Sequence, residues 1–321
     1  MRATALLSGI LCGLLANGAA GQDYPQKTIR LIIPFAPGGS NDIIGRLLAS
    51  RLTETLGQQV IPDNRAGAGG SIGAELAAKS PPDGYTLVIG HIGTLSVNPT
   101  LYKKLAYNPV TDFAPISTIA KVANIMVVHP SLPAKSVREL IALAKQRPGT
   151  LAYGSGGTGG AGHLATEYFK LMAKVDITHV PYKGTGPALV DLIAGQTQLV
   201  FAGAPGIVGY MKSGRLRALG VSTARRLAVF PDVPTIAEAG VPGYEATQWY
   251  GVLAPAGTPA PIVDRLNREI AGWVQTKPLQ ERLVADGAEP FTTRPDEFLA
   301  FIKSEIARWA PVIQNAHISV N

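Results

Sequence analysis

The chain has 321 residues, 46% apolar and 16% charged, with 29 Lys and Arg against 22 Asp and Glu for a net charge of +7. That length and apolar content provide for two domains with filled cores and exclude a disordered chain. The basic residues are scattered, with no longer run than pairs such as Arg225-Arg226, so the charge favours a small anion and argues against nucleic acid.

Met1-Arg2, an apolar run over 3–15 and the small residues Ala19-Ala20-Gly21 read as a secretory signal, residues 1–21, cleaved before Gln22. The run is too short to span a bilayer, and an exported, soluble, periplasmic protein is expected. The one cysteine, Cys12, lies in that segment. The mature chain would then hold no thiol, which excludes disulfides, cysteine nucleophiles and thiolate metal sites. The histidines at 91, 129, 163, 179 and 317 have no paired ligand spacing, so no metal and no cofactor is expected.

Residues 29–56 set the pattern for the rest. A β-branched run, Ile29-Arg30-Leu31-Ile32-Ile33, precedes Ala36-Pro37-Gly38-Gly39-Ser40-Asn41, and an amphipathic stretch follows with apolar residues at Ile43, Ile44, Leu47, Leu48, Leu52 and Leu56. This predicts a buried strand, a glycine loop and a helix capped by Ser40 or Asn41. Free first-turn amides, backed by the helix dipole and unobstructed at Gly38 and Gly39, suit an anion. A second copy follows the strand at 151–153, as Gly154-Ser155-Gly156-Gly157-Thr158-Gly159-Gly160-Ala161-Gly162, with a helix running from His163. Two donor loops predict two jaws.

Between and after these loops the chain alternates. Strands are predicted at 59–61, 85–90, 114–120, 124–130, 177–180, 199–202, 216–221 and 249–254. Helices are predicted at 71–79, after the capping box Ser136 to Glu139, and at 187–194, 207–212 and 261–275. The helices at 279–286 and 295–315 bring no strand of their own and must cover an existing sheet. The fold class is therefore α/β. Domain 1 spans 22–123 and 248–321, domain 2 spans 124–247, and two crossings form a hinge.

Other motifs compete with this reading. Gly69-Gly70-Ser71-Ile72-Gly73 fits the nucleophile elbow of serine hydrolases, yet a loop rather than a strand precedes Ser71. Gly154 to Gly159 fits G-x-G-x-x-G, but export argues against a nicotinamide cofactor and the surplus glycines suit general anion capture. His91 and Thr94 follow a strand at its carboxyl end, where open α/β sheets bind ligands. His163 can donate to an anion or cap its helix, and Lys183 can supply a positive charge.

Several segments together resemble the Bug-type, or TctC-type, substrate-binding proteins of tripartite tricarboxylate transporters. They are Pro34-Phe35-Ala36-Pro37-Gly38-Gly39-Ser40-Asn41-Asp42, Asn64-Arg65-Ala66-Gly67-Ala68-Gly69-Gly70, Pro82-Asp83-Gly84-Tyr85-Thr86-Leu87, Asp112-Phe113-Ala114-Pro115, His179-Val180-Pro181-Tyr182-Lys183-Gly184 and Phe230-Pro231-Asp232-Val233-Pro234-Thr235. The resemblance implies a two-domain periplasmic-binding-protein (flytrap) architecture, type II-like. It also implies a monomeric receptor, not an enzyme, that closes on a small organic carboxylate and meets membrane transporter subunits transiently. The ligand-binding set is then Pro37, Gly38, Gly39, Ser40, Asn41, His91, Thr94, Ser155, Gly156, Thr158, Gly159, Gly160, His163, Lys183, Ala202 and Gly203. Relatives often carry Asp-Asn where this chain has Ala202-Gly203, and polar residues where its second loop has glycine. A less polar or aromatic monocarboxylate is the ligand this implies. The competing functions are a secreted hydrolase using Ser71 and a sensor not coupled to transport.

Overall fold

The computed structural model describes residues 24–316 and 318. The expected signal segment and His317 lie outside the described residues. The chain runs β1 (Ile29–Ile33), α1 (Ser40–Leu56), β2 (Val60–Asn64), α2 (Ser71–Ala78), β3 (Thr86–His91), α3 (Asn98–Leu101) and β4 (Phe113–Val122). It continues with β5 (Asn124–Val128), α4 (Val137–Gln146), β6 (Ala152–Ser155), α5 (Ala161–Ala173), β7 (Thr178–Pro181), α6 (Thr185–Ile193), β8 (Leu199–Gly203), α7 (Val208–Lys212) and β9 (Arg217–Val221). The last part is β10 (Gln248–Pro255), α8 (Ala260–Val274), α9 (Lys277–Ala285), β11 (Ala288–Pro290) and α10 (Pro295–Asn315).

These strands form two sheets, in the orders β11-β4-β10-β3-β1-β2 and β7-β6-β8-β5-β9. In the first sheet β1, β2 and β3 are parallel, and β10 lies antiparallel between β3 and β4. In the second, β6, β7 and β8 are parallel and β5 runs antiparallel to β8 and β9. Each sheet with its covering helices is called a lobe below. The chain enters the second lobe between Val122 and Asn124, and returns to the first through β10.

Burial follows the composition of each strand. Ile29, Leu31, Ile32 and Ile33 of β1 are fully buried, as a strand with helices on both faces requires. In α10, Phe298, Ile302, Trp309 and Ile313 are buried, a helical stripe facing the first lobe. Ser136 accepts from the Glu139 N–H at 3.2 Å, and the Glu139 carboxylate accepts from Lys135 N–H at 2.7 Å, one residue further out than a capping box predicts. Gly195 closes α6 with φ +75°, a left-handed position that favours glycine.

Two expectations are corrected. The C-terminal part does add a strand: β11 pairs antiparallel with β4 at the sheet edge, too short for residue pattern alone to reveal. Neither Ser40 nor Asn41 caps α1. Gly39 holds the cap position without a side-chain bond, because the Ser40 hydroxyl reaches across to the other lobe and donates to Gly203 O at 3.1 Å.

Candidate functional site

The loop between β1 and α1 is fixed from behind by Asp42. Its carboxylate accepts from Gly38 N–H at 3.1 Å, from Arg46 Nε at 2.9 Å and from Asn64 Nδ2 at 3.0 Å. Burial alone would raise this carboxyl, but the hydrogen bonds from Arg46, Asn64 and Gly38 hold it below the usual carboxylate range. One consequence bears on the site. The Gly38 donor is already occupied, so the free first-turn amides of α1 are those of Ser40 and Asn41.

The second loop is braced in the same manner. Ser155 is the last residue of β6, fully buried, and its Oγ accepts from Gly157 N–H at 3.1 Å while meeting His179 Nε2 at 2.6 Å. His163 Nδ1 accepts from Gly159 N–H at 3.2 Å. The His163 and His179 rings lie 4.2 Å apart, and His179 stacks on Tyr153 at 4.8 Å. Burial pushes both imidazoles well below their ordinary range, and nearby charge adds to this, from His179 and Lys170 on His163 and from Lys170 on His179. Both rings are neutral supports. His163 is the third residue of α5, and its Nδ1 is taken up by the Gly159 N–H before the helix.

A third helix start, which the sequence reading took for loop, completes the arrangement. α6 begins at Thr185, and a Cβ placed on Gly39 would stand 3.3 Å from Thr185 Cβ, while one on Gly156 would stand 3.2 Å from Thr185 N. The two predicted loops therefore flank a common point. A cavity there is lined by Ser40 and Asn41 of α1, Ala161 and Gly162 of α5, and Thr185 of α6. The amides at the starts of these three helices, of 17, 13 and 9 residues, lack backbone partners and carry the positive dipole ends. Among the described residues, no Lys or Arg lines the cavity.

The remaining wall comes from strand ends. His91 closes β3, lies 4.6 Å from the Phe35 ring, and is caged by Thr94, whose N–H donates to His91 Nδ1 at 3.2 Å. Burial lowers His91 to about 4. It is therefore neutral, and with Nδ1 accepting, its proton sits on Nε2 as an uncharged donor. Tyr250 OH donates to Gln248 Oε1, Gln248 Nε2 to Asn124 Oδ1, and Asn124 Nδ2 to Ala246 O, each at 2.7 Å. This chain of amides ties the two crossings together. Asn41 Oδ1, on a residue 8% exposed, has no hydrogen-bond partner among the described residues, an arrangement that costs energy unless a guest supplies a donor.

The expected site residues thus fall into three groups. Ser40, Asn41, His91, Gly156, Gly160 and Gly203 line the cavity. Thr158 and Lys183 stand outside it, in a separate groove with Tyr102 and Tyr182. Pro37, Gly38, Gly39, Thr94, Ser155, Gly159, His163 and Ala202 do not line it. Gly38 and Gly39 pack on the start of α6, Gly159 packs on Asn98, Thr94 and His163 brace their neighbours, and Ala202 belongs to a buried cluster of the second lobe. Of the other lining residues, Ala161 and Gly162 end the second glycine loop, and Phe35, Asn124, Phe201, Thr185, Gln248 and Tyr250 were missed. Only the helix signal at 185–193 could have revealed one of them in sequence. Ser71 is engaged as an acceptor for Asn98 Nδ2 at 2.9 Å and follows a short helical turn rather than a strand.

The lobes are in contact across this cavity. Ala36 N–H donates to Lys183 O at 3.0 Å and Tyr102 OH to Thr158 O at 3.2 Å. The enclosed space is about 10 Å3, room for about one water molecule.

Comparison with known proteins bears on the family and the fold. The family model described as "Tripartite tricarboxylate transporter family receptor" matches residues 44–318. Protein BugT of Bordetella pertussis is 40% identical over 301 residues, covering 94% of this chain and 92% of that protein. Among solved structures, R. palustris Rpa4515 with adipate has a TM-score of 0.90 at 43% identity, covering 92% of this chain and 99% of that one. MatC from Rhodopseudomonas palustris with bound malate has a TM-score of 0.86 at 33% identity, covering 90% of this chain and all of the other. The chain belongs to the receptor family of the tripartite tricarboxylate transporters.

Proposed function

We propose that this protein is an exported, periplasmic solute receptor that binds a small carboxylate between its lobes, without transforming it, and passes it to a membrane transporter. One observation carries this reading. Three helix starts converge on a buried cavity without a lysine or arginine, so the positive potential comes from backbone amides and dipoles, which fit one carboxylate group. The adipate and malate bound by the structural relatives support the ligand class. Such molecules exceed the space between the closed lobes, so the lobes part to admit the ligand and close again over it. Domains at 22–123 with 248–321 and at 124–247, turning about Ala123 and the segment before Gln248, fit this motion.

Calorimetric titration of the mature chain with adipate and malate tests the reading. Saturable binding of either supports it, and silence from both overturns it. Ser40→Ala removes the hydroxyl bond to Gly203 O, and affinity is expected to fall about fivefold, near 1 kcal/mol, for one such bond. Ser155→Ala is expected to weaken binding by loosening the second loop at Gly157 N–H, since the hydroxyl lies behind the loop. A larger loss from Ser155→Ala than from Ser40→Ala would count against this geometry. A fluorophosphonate probe that labels Ser71 would favour the hydrolase.

A further inference from the structure

Strand β10 has two faces, and the candidate site uses only one. Gln248 and Tyr250 point into the cavity between the lobes. Trp249, between them, points the opposite way, as alternation along a strand requires, into a second cavity of about 580 Å3. That is an ordinary size for a small-molecule site. Val122 and Ala123 of the outgoing crossing and Thr247 of the returning one form its floor. One wall belongs to the first lobe: the cross-strand row Glu289, Lys121 and Trp249, with Phe301, Glu305 and Arg308 one above another on α10. The facing wall is the segment 223–228 of the second lobe.

The charges of this cavity are of both signs. Arg226 pairs with Glu238, and Arg308 with Glu305. Glu305 is buried, and its Oε2 accepts from the indole N–H groups of Trp249 at 3.0 Å and Trp309 at 3.3 Å. Among the described residues, Lys121, Arg225, Glu245 and Glu289 line the same cavity without an ion pair. A simple anion would suit two of them and be repelled by the other two, and a simple cation would meet the same difficulty. A molecule carrying both charges matches all four, and the half-buried Phe301 ring with the exposed Val284 side chain offers it an apolar surface.

We propose that this cavity behind the hinge binds a small zwitterion with an apolar side chain, of the amino-acid class, and that its occupation favours closed lobes. The sign follows from position. The two cavities lie on opposite faces of the same crossings, so turning the lobes apart widens the front and narrows the back. A guest behind the hinge resists that turn, and the coupling is reciprocal. The coupling, but not the binding, rests on the carboxylate reading of the front cleft.

The test is calorimetric titration of the mature chain with L-phenylalanine, alongside 3-phenylpropionate, which lacks the ammonium group, and phenethylamine, which lacks the carboxylate. Only L-phenylalanine is expected to bind saturably, and Arg225→Glu or Glu289→Lys is expected to weaken it about tenfold or more. Neither variant alters the adipate isotherm measured alone. Saturating L-phenylalanine is expected to raise adipate affinity about fivefold or more. Absence of L-phenylalanine binding, equal binding of either analogue, or displacement by adipate overturns the proposal. If adipate itself fails to bind, the front-cleft reading falls, while the response of L-phenylalanine binding to Arg225→Glu still decides the site behind the hinge.

Discussion

Gly186→Ala is expected to lower carboxylate affinity about a hundredfold, near 3 kcal/mol, while leaving the melting temperature unchanged or slightly raised. Gly186 is the second residue of α6 and has an ordinary helical backbone, so alanine is the better residue for that helix taken alone, by up to about 1 kcal/mol. Across the seam the situation reverses. A Cβ at Gly186 would stand 2.2 Å from Pro37 O, a backbone atom of the opposite lobe that no side-chain rotation can move aside. The variant lobe folds normally but cannot approach its partner, so a ligand would be held from one side only. Gly209→Ala is the matched control, since a Cβ there meets nothing within 4 Å. Affinities from calorimetry and melting curves for both variants check the expectation. Near-normal binding by Gly186→Ala would mean that the ligand does not need closed lobes.

The second large effect is on stability in acid. Burial holds His91 neutral down to about 4, and burial with neighbouring charge also lowers His163 and His179. In the unfolded chain a histidine takes up its proton near pH 6.5 or so. Between these limits the unfolded state binds more protons than the folded one, so stability is full above about pH 6.5 and declines as pH falls toward 4. His91 alone accounts for about 3 kcal/mol over that interval. Asp42 acts in a separate window. Its carboxyl is lowered in the folded chain, so its contribution is present above the unfolded carboxyl value, near pH 4, and disappears only in stronger acid. Urea melts in steps between neutrality and about pH 4.5 measure the slope, and His91→Gln should flatten it. A flat profile for the unaltered chain would show that the buried rings take up protons in the folded state as readily as in the unfolded chain.

The first donor loop was legible because strand, glycine turn and helix follow one another within 28 residues, 29–56. The second was legible for the same reason, although Ser155 proved to be strand and its hydroxyl faces away from the cavity. The α6 start escaped because Pro187 looked like the first helical residue, whereas the helix opens at Thr185 and holds the proline in its first turn. Asn124, Gln248 and Tyr250 could not be found by any local pattern. Their side chains meet only because two crossings far apart in sequence lie side by side, Gln248 bonding Asn124 across 124 positions. Distances of that kind belong to topology, and residue spacing does not encode them.

The position of β4 in its sheet also governs how the molecule can be assembled. Its two neighbours, β10 and β11, both come later in the sequence. During synthesis β4 therefore emerges with no strand available on either edge, and it stays so until residues 248–290 have followed. The strands β5 to β9 pair only with one another, so the middle of the chain can become native before its beginning does. A nascent or C-terminally shortened product leaves a ten-residue, largely apolar strand with both edges open to other chains. Solubility on the way to the folded state thus depends on the last quarter of the polypeptide.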